Sequence, residues 1–100
     1  SPKAMMLSSL AGCSGVDIVE ILEKMKVTHY KLSIDVEAQL TDEHPRYYDK
    51  VHVDYRFYGQ ELNPNKINKA VTLSVEKYCG VMEMFRQFST VTTKTHIHNS

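Results

Sequence analysis

The sequence has 100 residues, with 12 basic and 12 acidic side chains that cancel to a formal net charge of zero. That length suits a single small domain able to bury roughly 60–65% of its unfolded surface, and balanced charge with no aromatic-interleaved basic patch argues against a nucleic-acid binder. No uninterrupted apolar run reaches the roughly 18 residues of a membrane span, and two cysteines, Cys13 and Cys79, are too few for a disulfide scaffold, so free thiols or a catalytic pair in the cytoplasm are expected.

The stretch Met5–Met25 organises the chain. A first-turn proline is tolerated at Pro2, so a long helix is predicted from near Lys3 to near Lys26. At 100° per residue, Leu7, Leu10, Ala11, Ile18, Ile21, Leu22 and Met25 gather on one side. Cys13 lies off that stripe, near Met5, Met6, Ser9 and Val16. The first half of the helix is therefore apolar nearly all round and calls for a second cover, either a partner subunit or a later helix. Free cysteine often behaves as a small buried hydrophobe. Gly12, Ser14 and Gly15 leave room around this thiol, however, and two glycines inside a helix cost about 1 kcal/mol each against alanine. They are read as a kink or restart that aims N–H groups near the sulfur and favours thiolate.

The period then changes to two. Tyr30–Leu40 alternates apolar and polar residues and is predicted as a half-buried strand. Thr41–Arg46 is a polar connection. A second alternation faces Val51, Val53, Tyr55 and Phe57 inward, with His52, Asp54, Arg56 and Tyr58 outward. Two such runs across a short loop make an antiparallel hairpin. Asn63-Pro64 reads as an N-cap followed by proline at the first helical position. The helix it opens places Ile67, Ala70, Val71, Ser74 and Tyr78 on one face, with Gly80 as C-cap. Val81–Arg86 comes next as a short helix, and the threonine-rich Phe88–His98 as a last strand. The order predicts an α+β domain with a long helix on an antiparallel sheet.

If Gly80 ends a helix, Cys79 sits at the negative end of its dipole, which disfavours thiolate. Cys13 is then the better nucleophile and Cys79 the resolving partner. Bridging them requires Cα atoms within about 7 Å. His96 and His98 share one strand face and could hold zinc with a third ligand, but nothing supplies that ligand at a typical spacing, so no metal and no other cofactor is expected. His29, His44 and His52 read as solvated.

Three stretches together resemble the OsmC/Ohr family, the osmotically inducible and organic hydroperoxide resistance proteins. They are Leu7–Leu22 (LSSLAGCSGVDIVEIL), Val51–Ile67 (VHVDYRFYGQELNPNKI) and Ser74–Val81 (SVEKYCGV). The resemblance spans essentially all residues and is greatest to the OsmC-like branch. It implies an intertwined homodimer and a thiol-dependent peroxidase, with Cys13 peroxidatic and Cys79 resolving. The substrate would be an organic hydroperoxide and the reductant a dithiol, with neither metal nor flavin. Two departures stand out. The family's glutamate after the proline is replaced by Lys3 and Ala4, and Arg46, Arg56 and Arg86 do not match its N-terminal arginine. The resemblance also implies some 35–50 residues of further strands before Ser1, about three typical strands with turns, so that residues 1–100 form a single OsmC-like domain truncated at its N-terminus.

Hydroperoxide reduction in oxidative-stress defence is thus the leading reading. A redox-responsive or small-molecule-binding domain without significant peroxidase activity is the second, favoured by the missing glutamate. A structural domain with inert thiols is the third, disfavoured because both cysteines fall at family positions.

Overall fold

Helix α1 (Pro2–Lys24) is the spine of the computed structural model, which describes every residue from Ser1 to Ser100. Ser1 caps it, its Oγ accepting from the Ala4 N–H at 3.3 Å, and Pro2 occupies the first turn. The helix stops because Lys26 takes a left-handed conformation, φ 63°, while Lys66 Nζ donates to the freed Met25 carbonyl. α1 is unbroken through Gly12 and Gly15, so neither glycine marks the expected kink, and their N–H groups stay within the helix. Gly15 instead permits close approach: a Cβ there would lie 2.9 Å from Ile34 Cδ1.

Strands β1 (Tyr30–Leu40) and β2 (Tyr48–Gly59) pair antiparallel, Tyr30 opposite Gly59 and Ala38 opposite Val51. β3 (Thr90–Asn99) completes the order β1-β2-β3 and runs parallel to β2. The sheet is therefore mixed rather than antiparallel throughout. The connection from β2 to β3 passes through helices, and such a crossover returns the chain in the same direction, whereas a tight hairpin reverses it. The α+β class stands as expected.

That connection begins with α2 (Pro64–Leu73), capped by Asn63 as its sequence requires. A π-helical turn (Ser74–Tyr78) comes next, then α3 (Gly80–Arg86). One core joins all layers. α1 contributes Leu10, Ile18 and Leu22, β2 contributes Val51, Val53, Tyr55 and Phe57, and the later helices add Ile67, Ala70, Met82 and Phe85. Each of the larger apolar side chains contributes about 1.5–3 kcal/mol on burial.

By length and apolar character α1 could also cross a membrane, contrary to the reading from uninterrupted runs. Core helices meet the same criterion, and here Leu10, Ser14, Ile18 and Leu22 are fully buried within the chain's own fold.

Gly59 ends β2 where the chain has no space for a side chain. A Cβ would lie 2.9 Å from the His29 carbonyl oxygen and 2.8 Å from Leu62 Cδ2. Gly59→Ala is expected to destabilise by about 1–3 kcal/mol, as overpacking does. The effect should appear as a lower urea midpoint at unchanged slope.

Candidate functional site

The site forms where α1 meets the start of α3. Cys13 is half-buried on α1, and Cys79 comes to it from the junction between the π-turn and α3. Asp17 lies one turn beyond Cys13. The two Sγ atoms and an Asp17 carboxylate oxygen all lie within 4.8 Å of one another. Both thiols are free. The second cover that Cys13 required is thus a later helix.

The π-turn sets this geometry. The Cys79 N–H bonds back five residues to the Ser74 carbonyl at 2.8 Å. The extra residue rotates the chain beyond it, so Tyr78, expected on the buried face, is 54% exposed, while Cys79 turns inward to 3% exposure. Arg86 donates to the Val75 carbonyl within this turn and pairs with Glu83 at 3.0 Å. Gly80 is not a C-cap. It is the first residue of α3, and Cys79 is the N-cap, its Sγ accepting from the Met82 N–H at 3.4 Å. The helix dipole at Cys79 therefore acts with the opposite sign to that expected, since a helix N-terminus favours thiolate.

Desolvation outweighs it. Burial pushes the Cys79 thiol from an ordinary 9.0 up to about 11, reinforced by the neighbouring Cys13 thiol and only partly opposed by the Met82 N–H. The fold thus prefers neutral Cys79. This preference stabilises it fully below pH 9 and is lost as pH rises from 9 toward 11. The loss should be on the order of 2 kcal/mol, measurable by denaturant titration across that window and removed in Cys79→Ala. Tyr55, pushed by burial up to about 12, adds to the decline only above its ordinary 10.0.

A buried polar chain fixes the two cysteine-bearing segments against β2. Tyr55 donates its hydroxyl to Ser14 Oγ at 2.9 Å, and Ser14 donates back to the Leu10 carbonyl at 3.0 Å. Ser74 Oγ donates to the Ser14 carbonyl at 3.0 Å. Ser14 is next to Cys13 in sequence, and Ser74 opens the turn that ends at Cys79, so the chain ties both thiols to one reference point. From sequence, Tyr55 and Ser74 read as packing residues and Ser14 as a small spacer. Ser14 falls at the centre of the apolar stripe of α1, a polar residue where burial demands a partner, and that is the signal the sequence carries.

Between α1 and the α3 segment, Met6, Ser9, Val81, Met84, Phe85 and Phe88 line an apolar pocket of about 340 Å³. Ser9 is one helical turn before Cys13 and Val81 is two residues after Cys79, while neither cysteine lines this pocket itself. Along another side of α1, an open groove bounded by Ala11, Gly12, Gly15, Val16, Leu32 and Ile34 has a volume of about 600 Å³. Met5, Val16 and Val19 are exposed on that helix.

The remaining histidines do not converge with His98 on a metal. His96 Nε2 bonds Asp54 Oδ1 at 2.8 Å and His52 Nε2 bonds the same oxygen at 3.1 Å, whereas His98 stacks on Tyr58. These contacts lie on the outer face of the sheet, away from the thiols. Their hydrogen bonds, that from His96 foremost, hold the Asp54 carboxyl below its usual range.

Comparison with known proteins identifies the family and the fold. A family model described as OsmC-like protein matches residues 1–94. Protein YhfA of Escherichia coli (strain K12) is 30% identical over 92 residues, covering 92% of this chain and 69% of that protein. A hypothetical protein from Aquifex aeolicus VF5 superposes with a TM-score of 0.84 at 27% identity, over 99% of this chain and 76% of its own. An organic hydroperoxide resistance protein OsmC from Legionella pneumophila shares the fold, with a TM-score of 0.71 at 18% identity, over 96% of this chain and 69% of its own.

Proposed function

The chain belongs to the OsmC-like family, and on that premise we propose that it is a thiol-dependent peroxidase that reduces organic hydroperoxides with a Cys13/Cys79 redox pair. One observation carries the reading: two free sulfurs within 4.8 Å, brought together from distant parts of the chain. The Cys13 thiolate attacks the distal peroxide oxygen. The O–O bond breaks, the alcohol leaves with a proton, and Cys13 becomes a sulfenic acid. Cys79 then attacks the Cys13 sulfur, its proton leaves with the departing hydroxide as water, and a disulfide forms. A dithiol reductant reopens it by exchange. Cys79, held protonated, is the poorer initial nucleophile. The apolar cavity beside Ser9 and Phe85 suits an alkyl or aryl substituent.

A second reading, a redox-responsive or small-molecule-binding domain, is favoured by the first turn of α1, which carries no acidic residue, with Lys3 and Ala4 at those positions. Consumption of cumene hydroperoxide by the reduced protein with a dithiol decides between them. Catalytic turnover supports the peroxidase, and reaction limited to one equivalent, or none, supports the second reading.

The same reading includes a homodimer. The groove along α1 and the exposed Met5, Val16 and Val19 form an unpartnered apolar face, such as marks an interaction surface. An obligate interface of this kind buries more than about 2,000 Å² in total. Light scattering at micromolar concentration should give twice the 11.5 kDa chain mass, and a monomer would count against it. Two cysteines, too few for a disulfide scaffold, fit a cytoplasmic setting.

A further inference from the structure

The geometry points to a site for a soft divalent cation of the zinc class, formed by Cys13, Asp17 and Cys79 in the reduced protein. Cys13 and Asp17 sit four residues apart on α1, so both project from one helix face one turn apart. Cys79 meets them from the N-terminus of α3. The three donor atoms lie within 4.8 Å of one another. Tetrahedral zinc holds adjacent thiolate and carboxylate donors about 3.6–3.8 Å apart, given its bond lengths, so small side-chain rotations suffice to close the site.

A second observation points the same way. Asp17 Oδ2 is buried and has no hydrogen-bond partner. Such an atom ordinarily finds a donor or a cation, and a metal beside the two sulfurs supplies one. The donor set selects among metals: two thiolates favour zinc-class ions over magnesium or calcium, and one carboxylate is compatible with zinc. Three protein ligands leave a fourth position for water, the arrangement of exchangeable rather than closed sites.

Binding displaces one proton from each thiol as the two metal–sulfur bonds form. Disulfide formation removes those donors, so a bound dication and the Cys13–Cys79 disulfide are mutually exclusive. On the proposed peroxidase reading, the hydroperoxide takes two electrons from the two metal-bound thiolates and two protons from solvent, its O–O bond breaks to give alcohol and water, the disulfide forms, and the ion is released.

Cobalt(II) is the probe, titrated into the reduced full chain without peroxide, so the result does not depend on peroxidase activity. The expected result is an intense sulfur-to-cobalt charge-transfer band saturating at one ion per chain and displaced by zinc. Asp17→Asn should keep the band but weaken binding by about 10–100-fold or more, since even supporting residues of metal sites cost that much. Cys79→Ser should weaken it further and reduce the band, and the disulfide form should show none. Unchanged far-ultraviolet circular dichroism of each variant establishes that it is folded. The absence of a band in reduced wild type, an unchanged affinity in Asp17→Asn, or one ion shared between two chains would each overturn the assignment.

Discussion

Cys13→Ser should abolish turnover of organic hydroperoxide, lowering kcat/KM by about 10³-fold or more, because no other group in the site is a competent initial nucleophile. Its nearest candidate, Cys79, is 3% exposed and held protonated by burial. Cys79→Ser should behave differently. It should still consume about one equivalent of peroxide per chain, then stall as sulfenic acid or over-oxidise to sulfinic acid, since nothing remains to condense with Cys13. Stopped-flow consumption of cumene hydroperoxide, with intact mass measured afterwards, separates the two variants. Full turnover by Cys13→Ser would sink the assignment of nucleophile and resolving partner together.

Tyr55→Ala should cost about 3–5 kcal/mol, the usual penalty for removing a buried aromatic ring. That is a large share of the roughly 5–15 kcal/mol that holds a typical domain together. The ring is fully buried at the centre of β2, and its hydroxyl is the donor that fixes Ser14. Tyr55→Phe keeps the ring and should cost only about 1–2 kcal/mol, the worth of one buried hydrogen bond. Ser14→Ala should cost about 1–3 kcal/mol, because it strands the Tyr55 hydroxyl in the core. The double variant Tyr55→Phe/Ser14→Ala should be less destabilised than the sum of the two, and urea denaturation of the four proteins closes that cycle. Strict additivity would show that the Tyr55–Ser14 contact contributes nothing.

Features set by local rules are readable from sequence. Alternation in Tyr30–Leu40 and Val51–Phe57 reflects one wet and one dry sheet face, and both strands lie where that pattern puts them. Asn63-Pro64 opens a helix because an acceptor side chain and a fixed φ suit that position regardless of the residues beyond. Features that depend on partners distant in sequence are not readable. The parallel pairing of β3 is set by where the helical connection deposits the chain. The role of Gly15 is decided by Ile34, and that of Ser14 by Tyr55. Cys79-Gly80 misleads for a specific reason. A glycine after a helical run ordinarily ends a helix, but a cysteine can also cap one, and Cys79 Sγ does so toward Met82. Family resemblance suggests the proximity of Cys13 to Cys79, whereas nothing in the sequence announces the approach of Asp17 to both.

The π-turn works as a phase shift in the helical register. A helix advances about 100° per residue, so one extra residue over a turn changes which side chain faces the core at every later position. Upstream, Ile67, Ala70 and Val71 keep the ordinary rhythm. Downstream the rhythm is displaced by a single step, and the residue carried inward is a thiol instead of a phenol. The sulfur partner of Cys13 is therefore selected by the length of the chain between Ser74 and Gly80 as much as by its chemistry. If the same residues kept ordinary bonds of four residues' span through this segment, Tyr78 would face the thiol and Cys79 would turn toward solvent, with the composition of the helix unchanged.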